Sequence, residues 1–195
     1  MDYLLVLYYS SGGTTKQLAQ LIARGIEQQD IEAVIRTVPR VSPNSEASEQ
    51  SVPAEGDCYA TQQELSDCIG LAVGSPTRFG NMAAPLKYFI DQTSDIWMSG
   101  QLAGKPVTFF SSSSSLHGGQ ESTLLSMMLP FFHHGMLVSG IPYSETHLLH
   151  TRTGGSPYGV THWAGHENNH AISETEKKLA IAQGKRLAAL AIKLK

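Results

Sequence analysis

Tyr3 to Tyr9 is a short, continuous apolar run, after which the chain breaks into Ser10-Ser-Gly-Gly-Thr-Thr15. Apolar residues then return at helical spacing through Leu18, Leu21, Ile22 and Ile26. That order predicts a buried strand, a tight loop and a helix. Glu32 to Val38 reads as a second strand, stopped by Pro39, and Ile69 to Ser75 as a third. Pro76 to Met82 is then a loop leading into a helix from about Ala83 to Gln92. Pro106 to Ser112 predicts a fourth strand, followed by a Ser- and Gly-rich loop to Gln120 and a helix ending near His133. Met136 to Ile141 predicts a fifth strand, and Ser173 to Leu194 a closing helix, with Ser173 and Glu176 spaced as a capping box. Residues 40–64 hold no sustained apolar period and read as a surface excursion, and residues 142–171 read largely as loop.

Continuous apolar strands alternating with helices indicate a parallel sheet covered on both faces, because half-exposed antiparallel strands alternate apolar and polar residues. The expected fold is a doubly wound α/β domain over residues 1–195, with five strands in the order 2-1-3-4-5. Such a sheet takes its ligand at the switch point, outside the carboxyl ends of strands one and three. The loops Ser10–Thr15, Pro76–Met82 and Ser111–Gln120 therefore converge on one place.

Charge removes several classes of function. The net charge is −3 with acids and bases interspersed, so no basic stripe points to nucleic acid and no basic amphipathic face points to a membrane surface. No apolar run reaches the length of a membrane span, and the first residues lack a positive leader, which together predict a soluble, cytoplasmic protein. Cys58 and Cys68 read as free thiols of a reducing compartment.

The first loop is neither a Walker A sequence nor a dinucleotide fingerprint. Its hydroxyls around Gly12 and Gly13, ahead of a helix N-terminus, suit a single terminal phosphate. The same residues also suit an ordinary N-capping turn. Arg78 is the only Arg or Lys in the three loops; it serves either to offset ligand charge or as a surface guanidinium paired with a carboxylate. His162, His166 and His170 are spaced by four, yet Gly165, Asn168 and Asn169 argue against a helix there. With His147 and His150 they read as solvated loop histidines rather than a zinc site. On residue type alone, Trp97 and Phe79 read as apolar packing, and His133 and His134 as a helix C-terminal cap.

Tyr8-Tyr9-Ser10, Gly74-Ser-Pro-Thr-Arg-Phe-Gly-Asn-Met82, Gly118-Gly-Gln-Glu121, His133-His-Gly-Met136 and Gly154-Gly-Ser-Pro-Tyr-Gly159 resemble the signatures of the WrbA family of flavodoxin-like NAD(P)H:quinone oxidoreductases. The resemblance implies bound FMN, a homotetramer, and ping-pong two-electron reduction of quinones by NADH or NADPH. It puts the FMN phosphate on Ser10, Ser11, Gly12, Gly13, Thr14 and Thr15. The flavin ring would lie between Pro76, Thr77, Arg78, Phe79, Gly80 and the loop Ser112, Ser113, Ser114, Ser115, Leu116, His117, Gly118, Gly119. His134 resembles the family histidine at the flavin and substrate pocket. Trp97 resembles the aromatic wall on which a quinone or nicotinamide stacks, with Phe79 and Gly12 also facing substrate. The chain departs from the family pattern at Gly12, where some relatives carry a bulky aromatic residue. It departs again in the loop holding His117, which is one residue longer. The Gly154–Gly159 loop reads as a structural or intersubunit feature bordering the flavin site. A one-electron carrier of the flavodoxin type and a flavin-scaffold regulatory protein are the rival classes, and the modest charge disfavours the carrier.

Overall fold

In the computed structural model, which describes residues 2–42 and 52–195, strand β1 (Tyr3–Tyr8) is buried along all but its first residue and feeds helix α1 (Thr14–Glu27). Strands β2 (Glu32–Thr37), β3 (Gly70–Pro76) and β4 (Pro106–Ser113) follow, all parallel to β1 or to one another. The sheet order is β2-β1-β3-β4-β5, as the apolar runs predict, with β5 reduced to Leu137–Val138. Helices cover both faces. On one side α1 and the long α7 (Glu174–Leu194) enclose Leu4, Val6, Ile22, Phe110 and Leu187. On the other, α3 (Ala84–Asp91), α4 (Ser94–Met98) and α5 (Gln120–His133) enclose Leu5, Val73, Phe109 and Phe131.

Two glycines let α1 and α7 cross closely. A Cβ on Gly25 would lie 2.1 Å from the Ile181 carbonyl oxygen, and one on Gly184 would lie 2.1 Å from that of Ile22. The expected capping box of α7 is present, with Ser173 and Glu176 each accepting from the other's backbone N–H.

Three expectations are corrected. The fifth strand does not run from Met136 to Ile141. After Ser139 bonds Val107, Gly140 packs so near the Pro157 carbonyl that the chain turns away, and Pro142 has no N–H to continue a ladder. The sheet accordingly has six strands rather than five, because β6 (Val160–Trp163) takes up the edge that β5 abandons, pairing with Phe110–Ser113 of β4. The region 142–171 is therefore not all loop; it also holds the short α6 (His147–His150). Short helices α2 (Gln62–Asp67) and α4 were also not anticipated, although Thr61 and Glu64 form a second capping box. Of the excursion at 40–64, residues 43–51 lie outside the described residues; beyond them, residues 58–60 return to bond Thr37 of β2.

Candidate functional site

Helix α1 begins at Gly13, whose φ of 88° is natural for glycine, and no side chain caps it. Ser10 Oγ instead accepts from Gly13 N at 3.0 Å and closes the loop one residue earlier. The first-turn N–H groups of α1 are thus left for an outside acceptor, at the end of a 14-residue helix where negative charge is favoured. The ordinary capping-turn reading of this loop does not describe it.

The buried Thr14 and Thr15 hydroxyls reach Ser112 Oγ across the sheet end, at 3.2 and 2.9 Å. The fourth strand runs one residue beyond the expected Ser112, so that Ser111, Ser112 and Ser113 are the buried last residues of β4. The loop proper is 114–119. It joins the Pro76 loop through Thr77, whose N–H donates to the Ser112 carbonyl at 2.9 Å and whose hydroxyl meets Thr123 at 2.6 Å and the Gly119 carbonyl at 3.0 Å. A Cβ on Gly119 would stand 3.1 Å from Gly80 Cα, so both glycines keep the loops in contact. Helix α5, like α1, starts at a glycine in left-handed conformation with no side-chain cap. Two bare helix N-termini therefore serve the same sheet end.

Between these loops lies a cleft of about 200 Å³ lined by Ser11, Gly12, Thr14, Thr15, Pro76, Thr77, Arg78, Ser112, Ser113, Ser114 and Gly118. Ser10 and Gly13 face an adjoining hollow of about 250 Å³ beside Lys16 and Asp57. Arg78 pairs with no carboxylate among the described residues. Its Nη2 donates to Ser11 Oγ at 3.0 Å and its Nη1 to the Thr77 carbonyl at 2.8 Å, so the guanidinium spans the first and second loops. Arg78 and Asn81 exchange backbone bonds around a corner made by Phe79 (φ 50°) and Gly80 (φ 74°). Phe79 there is fully exposed in a backbone conformation that costs a non-glycine residue about 1–2 kcal/mol. Ser115, His117 and Gly118 are exposed along the outer loop, with Leu116 half-buried.

The opposite wall of the cleft is Ala164, Gly165, His166 and Asn168, none of which the sequence places at the phosphate loop. Its origin is β6: once that strand pairs with β4, the residues after Trp163 must pass over the cleft. His162 is a correction in the same region. It is not a solvated loop histidine but lies 1% exposed on β6, against an equally buried Glu176. Burial opposes ionisation of Glu176, yet bonds from His162 and Ser173 outweigh it and hold the carboxyl below its ordinary range. His147 and His150 are likewise in α6 rather than loop. The Gly154–Gly159 loop packs on β6 and α7, Gly154 N donating to Glu176 at 2.8 Å and Gly155 N to Thr161 at 2.8 Å.

Trp97 and His134 lie elsewhere. They share a cleft of about 370 Å³ with Ile90, Thr93, Pro130 and His133, at the far end of α5. A 14-residue helix, about 21 Å long, separates that end from Gly119. Trp97 is half exposed, and its Nε1 donates to the His133 carbonyl at 2.8 Å. The buried His134 ring has Nε2 3.0 Å from Thr93 Oγ1; that hydroxyl donates to the Ile90 carbonyl, so Nε2 carries the hydrogen. Nδ1 is buried without a partner. Burial, assisted by His133, depresses the ring's pKa and keeps it neutral at pH 7. One protomer therefore brings the phosphate-loop candidates together but does not bring Trp97 and His134 to them.

A phosphate monoester fits the first cleft: it has unused helix N–H groups, hydroxyl donors at Thr14, Thr15 and Ser11, and room in front of Gly13, where a Cβ would meet nothing within 4 Å.

The sequence model of a family described as NADPH-dependent FMN reductase matches residues 4–146. Among solved structures the chain is similar to a flavodoxin, WrbA-like protein from Agrobacterium tumefaciens, at 23% identity and a TM-score of 0.67, with 100% of each chain covered. It is similar to a flavodoxin from the domain Archaea at 19% identity and a TM-score of 0.65, covering 97% of this chain and 99% of that one. Flavodoxin 2 from Bacillus cereus matches at 18% identity and a TM-score of 0.60, over 98% of this chain and 99% of its own. At these identities the structures carry the fold, which is flavodoxin-like.

Proposed function

Because the chain belongs to the NADPH-dependent FMN reductase family, an FMN-binding family of oxidoreductases that use a nicotinamide, we propose that it is a WrbA-like, FMN-dependent NAD(P)H:quinone oxidoreductase of the cytoplasm. The observation that carries the reading is the uncapped N-terminus of α1, with Thr14 and Thr15 facing Ser112 at the carboxyl ends of β1, β3 and β4. Bound there, FMN would supply the redox chemistry of a two-electron transfer from nicotinamide to quinone. The protein's own part is positioning. Thr14, Thr15 and Ser11, with the first-turn N–H groups, hold the phosphate. Pro76 to Gly80 and Ser114 to Gly119 flank the ring. The start of α5 and Arg78 offset negative charge that develops on it.

Trp97 and His134 enter this scheme through a second copy of the chain. The face that carries them also exposes Leu125, Leu129 and Phe132, spaced as one stripe of α5, and Met98 of α4. A contiguous apolar face of that kind supports self-association. A homotetramer of the WrbA type would set one copy's Trp97 and His134 over the ring site of another, beside the exposed Phe79.

The test is anaerobic reduction of the FMN-loaded protein by NADH and by NADPH, then addition of benzoquinone, followed in the visible flavin band. Bleaching by a nicotinamide and full recovery on quinone is expected. An oxidised flavin that neither nicotinamide bleaches defeats the reading. A stable one-electron absorbance band would favour the carrier class instead.

A further inference from the structure

The segment Gly165–His170 crosses the phosphate cleft as a strap, and its attachments are unusually complete for a surface loop. At its root, Ala164 N donates to the Ser113 carbonyl at 2.8 Å, and Trp163 Nε1 to the Ser114 carbonyl at 3.1 Å. At its far end the His170 ring meets the Trp163 ring edge-on at 4.4 Å. Below it stands the buried His162, with Glu176 Oε2 3.1 Å from Nδ1 and the His170 carbonyl 3.1 Å from Nε2. Both ring nitrogens thus face oxygen atoms, and the ring is held between the Glu176 carboxylate and the His170 carbonyl. Glu176 is itself fixed, accepting from Gly154 N and Ser173 N at the start of α7. The strap is pinned from beneath to a buried carboxylate that accepts from two backbone N–H groups.

Its tip reaches the first loop. Asn168, at a left-handed φ of 55° that asparagine tolerates, donates from Nδ2 to the Gly12 carbonyl at 2.6 Å. The bond is possible because residue 12 has no side chain. A Cβ on Gly12 would lie 2.9 Å from Asn168 Nδ2 and 3.0 Å from Cγ, so any larger residue would push the amide away. The departure at Gly12 and the strap are two halves of one feature: the side chain missing from the first loop is replaced by one from 156 residues along the chain.

We propose that Asn168 and His162 are positioning residues that latch this strap over the phosphate of the bound cofactor and so set how long FMN is retained. The inference rests on the FMN reading of the cleft. Asn168 closes the exit above the first-turn N–H groups of α1, while His162 holds the strap's return at His170. Opening the latch then exposes the phosphate end to solvent and leaves the ring contacts in place.

The experiment compares wild type with Asn168→Gly, which keeps the left-handed backbone and removes the amide, and with His162→Gln. FMN and riboflavin dissociation are each followed by the return of flavin fluorescence, and hydrogen exchange is measured for the amides of 165–170 in the flavin-free protein. The expected result is FMN release about tenfold faster in Asn168→Gly, riboflavin release unchanged, and faster exchange confined to the strap in both variants. His162→Gln should release FMN faster still. FMN release unchanged in Asn168→Gly, or FMN and riboflavin accelerated equally, overturns the retention role, because a merely structural loop would not distinguish the phosphate. Strap amides exchanging at wild-type rates in both variants overturn the latch itself. Wild-type protein that binds neither flavin removes the functional reading and the retention role together, while the exchange measurement still decides whether the strap is latched.

Discussion

The two clefts of this protein sit at opposite ends of α5 and are built in opposite ways. The cleft at the carboxyl ends of the strands is small, polar and closed by bonds between loops distant in sequence: Thr14 and Thr15 to Ser112, Thr77 to Thr123, Asn168 to Gly12. The cleft at the other end is larger and walled by Ile90, Trp97, Pro130 and the two histidines, and it adjoins exposed leucines and Phe132. The first is built within one chain, since the parallel sheet's own geometry brings its uncapped helix start and its hydroxyls together. The second holds a buried acceptor with nothing to accept from, in a wall that faces outward. A polar anion site must be preorganised by the fold, because misaligned donors cost their desolvation without return. A site for a flat ring can be assembled by docking one apolar face on another.

The sharpest way to break that contrast is at the hydroxyls. Thr14→Val with Thr15→Val keeps the side-chain shape and removes two donors, each worth about 1.5–3 kcal/mol to a charged acceptor. FMN affinity should fall on the order of 100-fold or more, measured by flavin fluorescence quenching, while the Trp97 cleft is untouched. Unchanged affinity would take the phosphate away from the first loop. At the other end, Leu129→Glu places a charge in the exposed stripe of α5. It should shift the protein to smaller species in sedimentation and raise KM for quinone about tenfold, about 1.4 kcal/mol, with FMN still bound. Trp97→Ala should raise KM for both nicotinamide and quinone by a similar factor without changing the oligomer. Kinetics unaltered by both substitutions would confine the whole reaction to the first cleft.

How far each cleft could be read from the sequence follows the same division. Strands β1 to β4 and the first cleft's three loops are legible because the signals are local: apolar runs of strand length, a helical period after Gly13, and glycine where the backbone must turn positive. The strap is not, because its position depends on β6, and Val160–Trp163 is too short to signal a strand until it finds the edge left by β5. The burial of His162 is hidden for the same reason, since its partner Glu176 also serves the capping box of α7 and its spacing signals only that. The short α2 could have been found from Thr61 and Glu64. Trp97 and His134 came only from family resemblance. Nothing in their spacing tells that they share a cleft, or that it lies a helix length from the first cleft.

Acid separates the two regions by a smaller effect, and each region carries its own probe, because Trp97 and Trp163 are the only tryptophans in the chain. His134 has its pKa depressed by burial, so the unfolded chain binds that proton more readily than the folded one. Stability contributed there is present above the ordinary value of 6.5 and is lost as pH falls below it. Glu176 is also depressed, though for a carboxyl this means the folded state favours the ion, through His162 and Ser173 and against its own burial. Its contribution is complete above 4.5 and is lost as pH falls from there through the folded value. Fluorescence of a Trp163→Phe variant, which reports Trp97, should therefore begin to change as pH drops below 6.5. That of a Trp97→Phe variant, which reports the strap beside Trp163, should hold until pH drops below 4.5, and FMN should leave with it. Coincident transitions would mean that the two ends of α5 loosen as one unit, and that the separation of a preorganised cleft from a docking face does not extend to their stability.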